Sequence, residues 1–293
     1  MNWAERGLLG LALMHMGCTQ PQSSQAPSRW QGVKTFACQL QELNIAQAAG
    51  SPFQLLLMDY SRDGRFEGRY TAAELSQLRQ GGRLLVAYLS VGEAESYRSY
   101  WNKSWKPGHP SWLDKPNPNW EGNYKVRYWD PDWQKILFDY ADLIVDQGYD
   151  GLFLDVVDGY EYWQGQRPQA AAEMRDLIKK LAGHLRQRGD LGLFLNGGEG
   201  LVDDAQLLES ITGLVKEEIF FGLNGDGKAT PPQFRRNVQA QLSKVVQSGK
   251  LVLSIDYTQN PQQARQAHQQ ARQAGYLEFV GVRALDRLVE QPE

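Results

Sequence analysis

Two acidic residues, Asp155 and Asp158, follow directly after a short apolar run in the middle of the chain. The run, residues 152–154, has turn residues before it and is typical of a strand buried on both faces of a parallel sheet. Parallel α/β folds place their reactive groups at the carboxyl ends of strands. We therefore expect Asp155 and Asp158 at a functional site, where a carboxyl group can act as nucleophile, general acid or general base.

A second acidic pair, Glu217 and Glu218, lies near the end of another apolar run, residues 211–220. Lys216 precedes the pair and could form a Schiff base, but strand alternation places it on the face opposite Glu217, which favours a structural role. Two carboxylates on either side of a glycosidic bond are the standard means of hydrolysing it, one ionised and the other with a raised pKa. The sequence favours Asp155 and Glu217 as such a pair.

The composition disfavours several other classes of chemistry. The formal net charge of −3 and the absence of a basic run argue against nucleic acid as a partner. None of the four histidines lies at a predicted strand end, which disfavours a His-rich metal site or a Ser-His-Asp relay. These histidines are His15, His109, His184 and His268. We expect neither a metal nor another cofactor, so a metal-dependent hydrolase is the least favoured alternative.

Eight apolar runs have the character of strands, and helical patterns alternate with them. The runs are residues 35–41, 54–60, 83–90, 152–154, 191–198, 211–220, 250–257 and 278–285. This order predicts an α/β protein with one (β/α)8 TIM barrel over residues 31–293 and no second domain. An open doubly wound sheet is the competing architecture, but no GxGxxG or P-loop follows the first run.

Polar side chains are found at nearly every predicted strand end. They are Gln39, Gln41, Asp59, Tyr88, Ser90, Glu93, Asp155, Asp158, Asn196, Glu199, Glu217, Glu218, Asp256 and Arg283. A single charged strand end is usually just solvated. Because all eight carboxyl ends of a barrel meet at one rim, the whole set predicts a pocket there.

The segment from residue 101 to residue 133 carries six of the nine tryptophans. It connects the third strand to the next helix on the same rim. Indole faces stack on the apolar faces of sugar rings, so the segment could form a wall of a polysaccharide site. The alternative is an Ω-like loop that is packed by its own aromatic side chains.

The N-terminus is typical of an exported protein. Arg6 precedes an apolar run over residues 7–16, and Gly17-Cys18 resembles a lipoprotein cleavage site. We predict a signal peptide over residues 1–18, lipidation of Cys18 and a flexible tether over residues 19–30. We expect the protein at the outer membrane or cell surface, attached only by that lipid, or otherwise in the periplasm or the medium. Cys38 then has no disulfide partner.

Four longer motifs resemble glycoside hydrolase family 114. They are YLSVGEAESYRSYW from Tyr88, PNPNWEGNYKVRYWDP from Pro116, GYDGLFLDVVDGYEYW from Gly148 and VGVRALDRL from Val280. The resemblance covers the chain after the tether and is closest to a bacterial and archaeal branch once labelled as related to cysteinyl-tRNA synthetase. That label finds no support, since HIGH and KMSKS motifs are absent from the sequence. The resemblance implies a (β/α)8 barrel and endo-α-1,4-polygalactosaminidase activity.

The resemblance also implies roles for individual residues. Asp155 and Glu217 match the two catalytic carboxylates of the family. Positions that would line its sugar subsites match Asp59, Glu93, Asp158, Tyr160, Asn196 and Asp256, and we add Tyr88 and Glu218 from the strand ends as substrate-binding candidates. One departure is visible, because the family branch usually has Gln-Asn-Gly where this chain has Leu195-Asn196-Gly197.

The sequence thus predicts an exported, monomeric glycoside hydrolase that cleaves α-1,4-linked galactosamine-containing polysaccharide. Asp155 would be the nucleophile and Glu217 the general acid/base of a retaining mechanism. A deacetylated galactosamine polymer is cationic at neutral pH, and an acidic rim would attract it. The alternative is a cell-surface barrel that binds polysaccharide without turning it over.

Overall fold

Eight parallel strands form one sheet in chain order in the computed structural model, which describes residues 28–292. They are β1 (Phe36–Gln39), β2 (Leu55–Met58), β3 (Leu84–Ser90), β4 (Gly151–Asp155), β5 (Gly192–Asn196), β6 (Gly213–Glu217), β7 (Leu251–Tyr257) and β8 (Leu277–Gly281). At the seam between β8 and β1, the Leu285 carbonyl accepts hydrogen bonds from the backbone N–H groups of Leu40 and Gln41. The sheet is a nearly closed barrel, so the predicted (β/α)8 architecture is confirmed.

Within residues 28–292, eight α-helices lie in the connections between the strands, two of them between β4 and β5. They are α1 (Ile45–Ala49), α2 (Ala72–Leu78), α3 (Pro131–Asp146), α4 (Tyr160–Trp163), α5 (Ala170–Arg188), α6 (Ala205–Ser210), α7 (Pro232–Gln247) and α8 (Pro261–Ala274). Local sequence sets several of their starts. Thr71 and Glu74 form a capping box at α2, and Asp130 caps α3 just before a proline at its first position. None of the helices in residues 28–292 combines the length and hydropathy needed to cross a membrane.

Alternation along each strand directs every second side chain into the barrel. Phe153 on β4 and Phe194 on β5 fill the interior, and both are almost completely inaccessible to solvent. Asp155 and Asn196 lie two residues further along the same strands and therefore face the same way, one layer higher. The apolar core of the barrel thus supports a polar layer at its carboxyl end.

The aromatic segment between β3 and α3 contains a small antiparallel sheet of three strands, Glu93–Glu95, Asn123–Val126 and Leu113–Pro116. Trp112 and Trp133 are buried, with their ring centroids 4.9 Å apart. Trp120, in contrast, is 67% exposed. Most of the segment is therefore packed by its own aromatic side chains, as in the second interpretation of the sequence.

The N-terminal end of the barrel is closed by Trp30, which is buried and packs edge-on against Phe194. Arg29 beside it forms an ion pair with Asp150 at 2.8 Å. The predicted tether over residues 19–30 is therefore too long, because its last residues belong to the barrel. The predicted signal peptide, the lipidation site Cys18 and the start of the tether lie outside the described residues.

Candidate active site

The side-chain amide of Asn196 connects the two predicted catalytic carboxylates. Its Nδ2 lies 2.9 Å from Asp155 Oδ1 and 3.0 Å from Glu217 Oε1. The three residues end the neighbouring strands β4, β5 and β6, which explains why they share one layer of the barrel. Since one nitrogen contacts both oxygens, those oxygens cannot be more than about 6 Å apart.

A tyrosine hydroxyl contacts the second oxygen of each carboxylate. Tyr88 on β3 donates to Asp155 Oδ2 at 2.8 Å, and Tyr257 on β7 forms a short hydrogen bond to Glu217 Oε2. Asp155 and Glu217 are each only partly accessible to solvent. Each carboxyl group therefore accepts one side-chain N–H and one O–H hydrogen bond in a largely desolvated site.

Burial raises the pKa of Asp155 to about 6, and the negative charge of Glu217 adds to this effect. Hydrogen bonds from Tyr88, from the Val156 backbone and from Asn196 act in the opposite direction. Asp155 is therefore mostly ionised at neutral pH, as a nucleophile must be. Cys38 on β1 lies inside the barrel near both carboxylates, and burial raises the pKa of its thiol well above the usual value.

Two of the predicted sugar-binding residues, Asp59 and Glu93, hold the aromatic segment in place. Both oxygens of Asp59 accept hydrogen bonds from Arg98 Nη1, at 2.9 and 2.7 Å. Glu93 is 2% exposed and forms an ion pair with Lys125 at 2.6 Å. Both carboxylates thus have protein partners, and their binding of sugar stays a prediction.

The turn after β4 places Asp158 at the rim and Tyr160 behind it. Asp158 is exposed, so its carboxylate is open to a solute. Partial desolvation raises the pKa of Asp158, whereas the positive charges of Lys216 and Lys125 lower it. Tyr160 is 9% exposed. Of these two predicted subsite residues, Asp158 is the one positioned to meet a ligand.

At the end of β6, Glu218 forms an ion pair with Arg283 at 2.5 Å. Asp256 is completely buried, and its Oδ1 accepts the backbone N–H groups of Phe220 and Phe221, both at 2.8 Å. Asp256 thus holds the loop after β6 in place through hydrogen bonds to the loop backbone. Its predicted place in a sugar subsite stays a prediction, and in this structure its carboxylate has no exposure to solvent.

Three residues that the sequence reasoning missed, Glu95, Arg98 and Tyr257, contribute to the site. Arg98 is buried and connects Asp59 to Glu95, with a 2.6 Å contact to Glu95. Glu95 and Arg98 lie within the motif that starts at Tyr88, which marked the region without giving its internal contacts. Tyr257 is the next residue after Asp256, and the sequence does not indicate which of the two points into the barrel.

The remaining titratable groups near the rim do not suggest another chemistry. Lys216 forms an ion pair with Glu199 at 2.9 Å, so its amine is engaged with a loop carboxylate. Within residues 28–292, no group of three or more His, Cys, Asp and Glu side chains could hold a metal ion.

A family model described as glycoside-hydrolase family GH114 matches residues 19–293 of the chain. An uncharacterised protein of Methanocaldococcus jannaschii is 37% identical over 230 residues, which are 76% of this chain and 66% of that protein. One of Thermotoga maritima is 34% identical over 229 residues, 75% of this chain and 69% of the relative. The match thus spans just under two thirds of the archaeal relative.

Two solved structures have a similar fold. The glycoside hydrolase domain of PelA from Pseudomonas aeruginosa aligns with a TM-score of 0.70 and 22% identity over 89% of this chain and 100% of that domain. Ega3 from Aspergillus fumigatus, in a complex with galactosamine, aligns with a TM-score of 0.67 and 18% identity over 92% of this chain and 100% of Ega3. At these identities the likeness establishes the fold alone.

Proposed function

The chain belongs to glycoside hydrolase family GH114 and is a glycosidase, and from this premise we propose that it cleaves α-1,4-linked galactosamine-containing polysaccharide. Asp155 is the nucleophile, and Glu217 is the general acid/base. Asp155 attacks the anomeric carbon while Glu217 protonates the departing glycosidic oxygen, which yields a covalent glycosyl-enzyme. Glu217 then removes a proton from water, and that water releases the sugar from Asp155 with retention of configuration.

The observation that carries this proposal is the Asn196 amide that contacts both carboxylates. With one N–H directed at each carboxylate, the two bonded oxygens are about 5 Å apart. Retaining glycosidases have carboxyl groups about 5–5.5 Å apart, whereas inverting enzymes need about 6.5–9.5 Å to admit a water. The separation therefore supports retention.

The substrate class rests on charge and on the structural relatives. Asp158 offers an exposed carboxylate at the rim, and protonated amino groups of a deacetylated polymer would be attracted to it. Asp59 and Glu93 contribute less to this attraction because Arg98 and Lys125 neutralise them. The solved complex of Ega3 with galactosamine is consistent with the same sugar class.

The test is the release of reducing ends from purified, partially deacetylated α-1,4-galactosaminogalactan. Asp155→Asn and Glu217→Gln should each lower the rate by about 10³-fold or more, because each removes a group that acts in the transition state. Glu218→Gln is the matched control one residue away, and it should stay within about tenfold of wild type. Wild-type protein that binds the polymer without cleaving it would overturn the proposal and indicate a binding barrel.

The stereochemistry is tested separately by following the first product by proton NMR. Retention gives the α-anomer first, and the β-anomer then appears by mutarotation. An initial β-anomer would contradict the covalent intermediate and leave the hydrolase assignment intact.

We also propose that the protein is exported as a monomer and anchored by lipid at Cys18. The support is the apolar run before Gly17-Cys18 in the sequence. Labelling with a radioactive fatty acid should mark the wild type and not Cys18→Ala. Labelling of both proteins would contradict the assignment of the lipidation site, and size-exclusion chromatography tests the monomer.

A further inference from the structure

The hydroxyl group of Tyr88 has two carboxylate oxygens within reach. Its oxygen is 2.8 Å from Asp155 Oδ2 and 3.3 Å from Glu95 Oε1. A phenol carries a single hydrogen, so Tyr88 can donate to only one of these carboxylates at a time. Which one receives the hydrogen matters, because a hydrogen bond to an ionised carboxylate lowers its pKa.

Both oxygens of Glu95 already have other donors. The Tyr97 hydroxyl donates to Oε1 at 2.7 Å, and Arg98 Nε donates to Oε2 at 2.6 Å. The side chains of Glu95 and Arg98 are each 3% exposed, so water does not compete for these contacts. Each carboxylate oxygen of Glu95 therefore has a hydrogen-bond donor even without Tyr88.

We propose that Tyr97 and Arg98 are positioning residues that direct the hydroxyl hydrogen of Tyr88 to Asp155. They do this by occupying Glu95, the competing acceptor. Arg98 is itself held from the other side by Asp59, through two contacts of 2.9 and 2.7 Å to Nη1. The ion pairs in the aromatic segment thereby determine the hydrogen bonding of the nucleophile, although the hydrogen-bond donors to Asp155 include neither Tyr97 nor Arg98.

The other groups around Asp155 lack this choice of acceptor. The titratable or polar side chains that face it are Cys38 from β1, Tyr88 from β3, Asn196 from β5 and Glu217 from β6. Glu217 in turn contacts Tyr257 from β7. Among the described residues, the Tyr257 hydroxyl is hydrogen-bonded to Glu217 without a second carboxylate. The competition at Tyr88 is therefore specific to the Asp155 side of the pair.

Removing the Tyr97 hydroxyl should let Glu95 compete for the Tyr88 hydrogen. The hydrogen bond to Asp155 is then weaker, the ionised form of Asp155 is less stable, and its pKa rises. Less of the nucleophile is ionised at acidic pH, whereas at pH 8 it stays fully ionised. The acid limb of the profile of kcat/KM against pH should therefore move to higher pH, while the ratio of variant to wild-type activity at pH 8 stays close to one.

The test is Tyr97→Phe, with Tyr162→Phe as the matched control. Both tyrosines are 39% exposed, and each donates to a carboxylate, but the acceptor of Tyr162 is Asp114. Tyr97→Phe should shift the acid limb by about 0.5–1 pH unit, which is a threefold to tenfold loss at pH 5 and less than twofold at pH 8. Tyr162→Phe should follow the wild-type profile.

A double-mutant cycle shows whether Tyr97 acts through Tyr88. Tyr88→Phe should shift the acid limb at least as far as Tyr97→Phe, and the double variant should shift it no further. Shifts that add would show that Tyr97 and Tyr88 act independently, and an equal loss of activity at every pH would indicate a general loss of structure. Either result would overturn the proposal.

The inference rests on the proposed role of Asp155, so it also needs a measurement that does not depend on turnover. Carbon-13 NMR of labelled aspartate, with the Asp155 signal assigned through Asp155→Asn, follows the titration of this carboxyl group directly. A higher pKa in Tyr97→Phe than in wild type supports the inference even if no substrate is cleaved. An unchanged pKa overturns it even if the protein is an active hydrolase.

Discussion

Val156 and Glu218 share a left-handed backbone conformation, with φ angles of 56° and 64°. Each is the first residue after a barrel strand that ends on one of the two central carboxylates. This conformation costs a residue other than glycine on the order of 1–3 kcal/mol and persists only where the surroundings impose it. The backbone therefore turns in the same strained, left-handed conformation immediately after Asp155 and immediately after Glu217.

The surroundings of Val156 include Gly92, and this contact gives the first prediction. A Cβ added at Gly92 would lie 2.2 Å from the Val156 carbonyl oxygen, so the two segments could not keep their spacing. Gly92→Ala should lower the free energy of unfolding by about 1–3 kcal/mol, the usual cost of overpacking. It should also lower activity, because Asp155 precedes the displaced residue. Urea denaturation and kcat/KM measure the two effects.

Gly183 provides the control for that prediction. It lies inside α5, where an added Cβ would meet no atom within 4 Å. Gly183→Ala should raise the free energy of unfolding by about 0.5–1 kcal/mol, because alanine loses less backbone entropy in a helix. Equal stability of Gly92→Ala and wild type would contradict the close contact at Val156.

The side-chain amide of Asn196, which contacts both carboxyl groups, leads to the second prediction. Asn196→Ala removes the N–H groups that contact the carboxyl groups of both Asp155 and Glu217. We expect kcat/KM to fall about tenfold to hundredfold, the range for a lost hydrogen bond to a charged group. The acid limb should also move to higher pH, because the pKa of Asp155 rises further. An Asn196→Ala profile that overlays the wild type would contradict a role for this amide.

The buried acids Asp256 and Glu278 lead to the third prediction, which concerns stability and pH. Burial raises the pKa of Asp256 to about 6 and that of Glu278 well above its usual value, and the charge of Asp256 raises the latter further. Unfolded aspartate and glutamate titrate near pH 4. The folded state therefore holds these protons more tightly. The contribution of Asp256 to stability is lost as the pH rises from about 4 to about 6, and that of Glu278 is lost progressively as the pH rises above its unfolded pKa.

Glu278→Gln removes one of these titrations with little change in volume. Its free energy of unfolding should exceed that of wild type by about 1–3 kcal/mol at pH 8 and approach the wild-type value at pH 4. Glu209→Gln, at an exposed position on α6, should leave the pH dependence unchanged. Parallel stability curves for Glu278→Gln and wild type would show that the buried acid does not titrate in this range.

The exposed carboxylate of Asp158 gives the fourth prediction. Asp158→Asn should raise KM for partially deacetylated polymer about threefold to tenfold, with kcat nearly unchanged, because the residue attracts substrate without reacting. The difference from wild type should shrink at high ionic strength, where exposed charges are screened. A fully N-acetylated polymer should serve both proteins equally well. A change in kcat alone would indicate another role for Asp158.

The eight strands could be predicted because each is a continuous apolar run between turn signals, as the barrel demands of strands that are covered on both sides. The positions of Asp155, Asn196 and Glu217 were predictable for a related reason. Each is the polar residue that ends such a run, and neighbouring strand ends meet at the rim.

The choice between Asp256 and Tyr257 could not be made in the same way. On β7, the side chains of Ser254 and Asp256 point outward, and those of Ile255 and Tyr257 point into the barrel, yet all four residues are buried. When both faces of a strand are covered, alternation separates two sets of side chains without indicating which set points inward. The sequence therefore favoured the acidic residue, whereas the interior position belongs to the tyrosine.

The ion pairs of Asp59 and Glu93 were unpredictable for another reason. The partner of Asp59, Arg98, is 39 residues away in the chain, and that of Glu93, Lys125, is on another strand of the small sheet. From sequence alone these acids are indistinguishable from Asp158, which is exposed. Only the folding of the aromatic segment onto the rim determines which carboxylates are neutralised.

The same aromatic segment gives the protein an optical signature of its own. The rings of Trp101, Trp105, Trp112 and Trp133 form a continuous series, with successive centroids 5.3, 4.9 and 4.9 Å apart. Indoles at this spacing couple electronically, so the near-ultraviolet circular dichroism and the fluorescence of the protein should be dominated by this one segment. A change in those spectra on adding polysaccharide would report on the rim of the barrel rather than on its core.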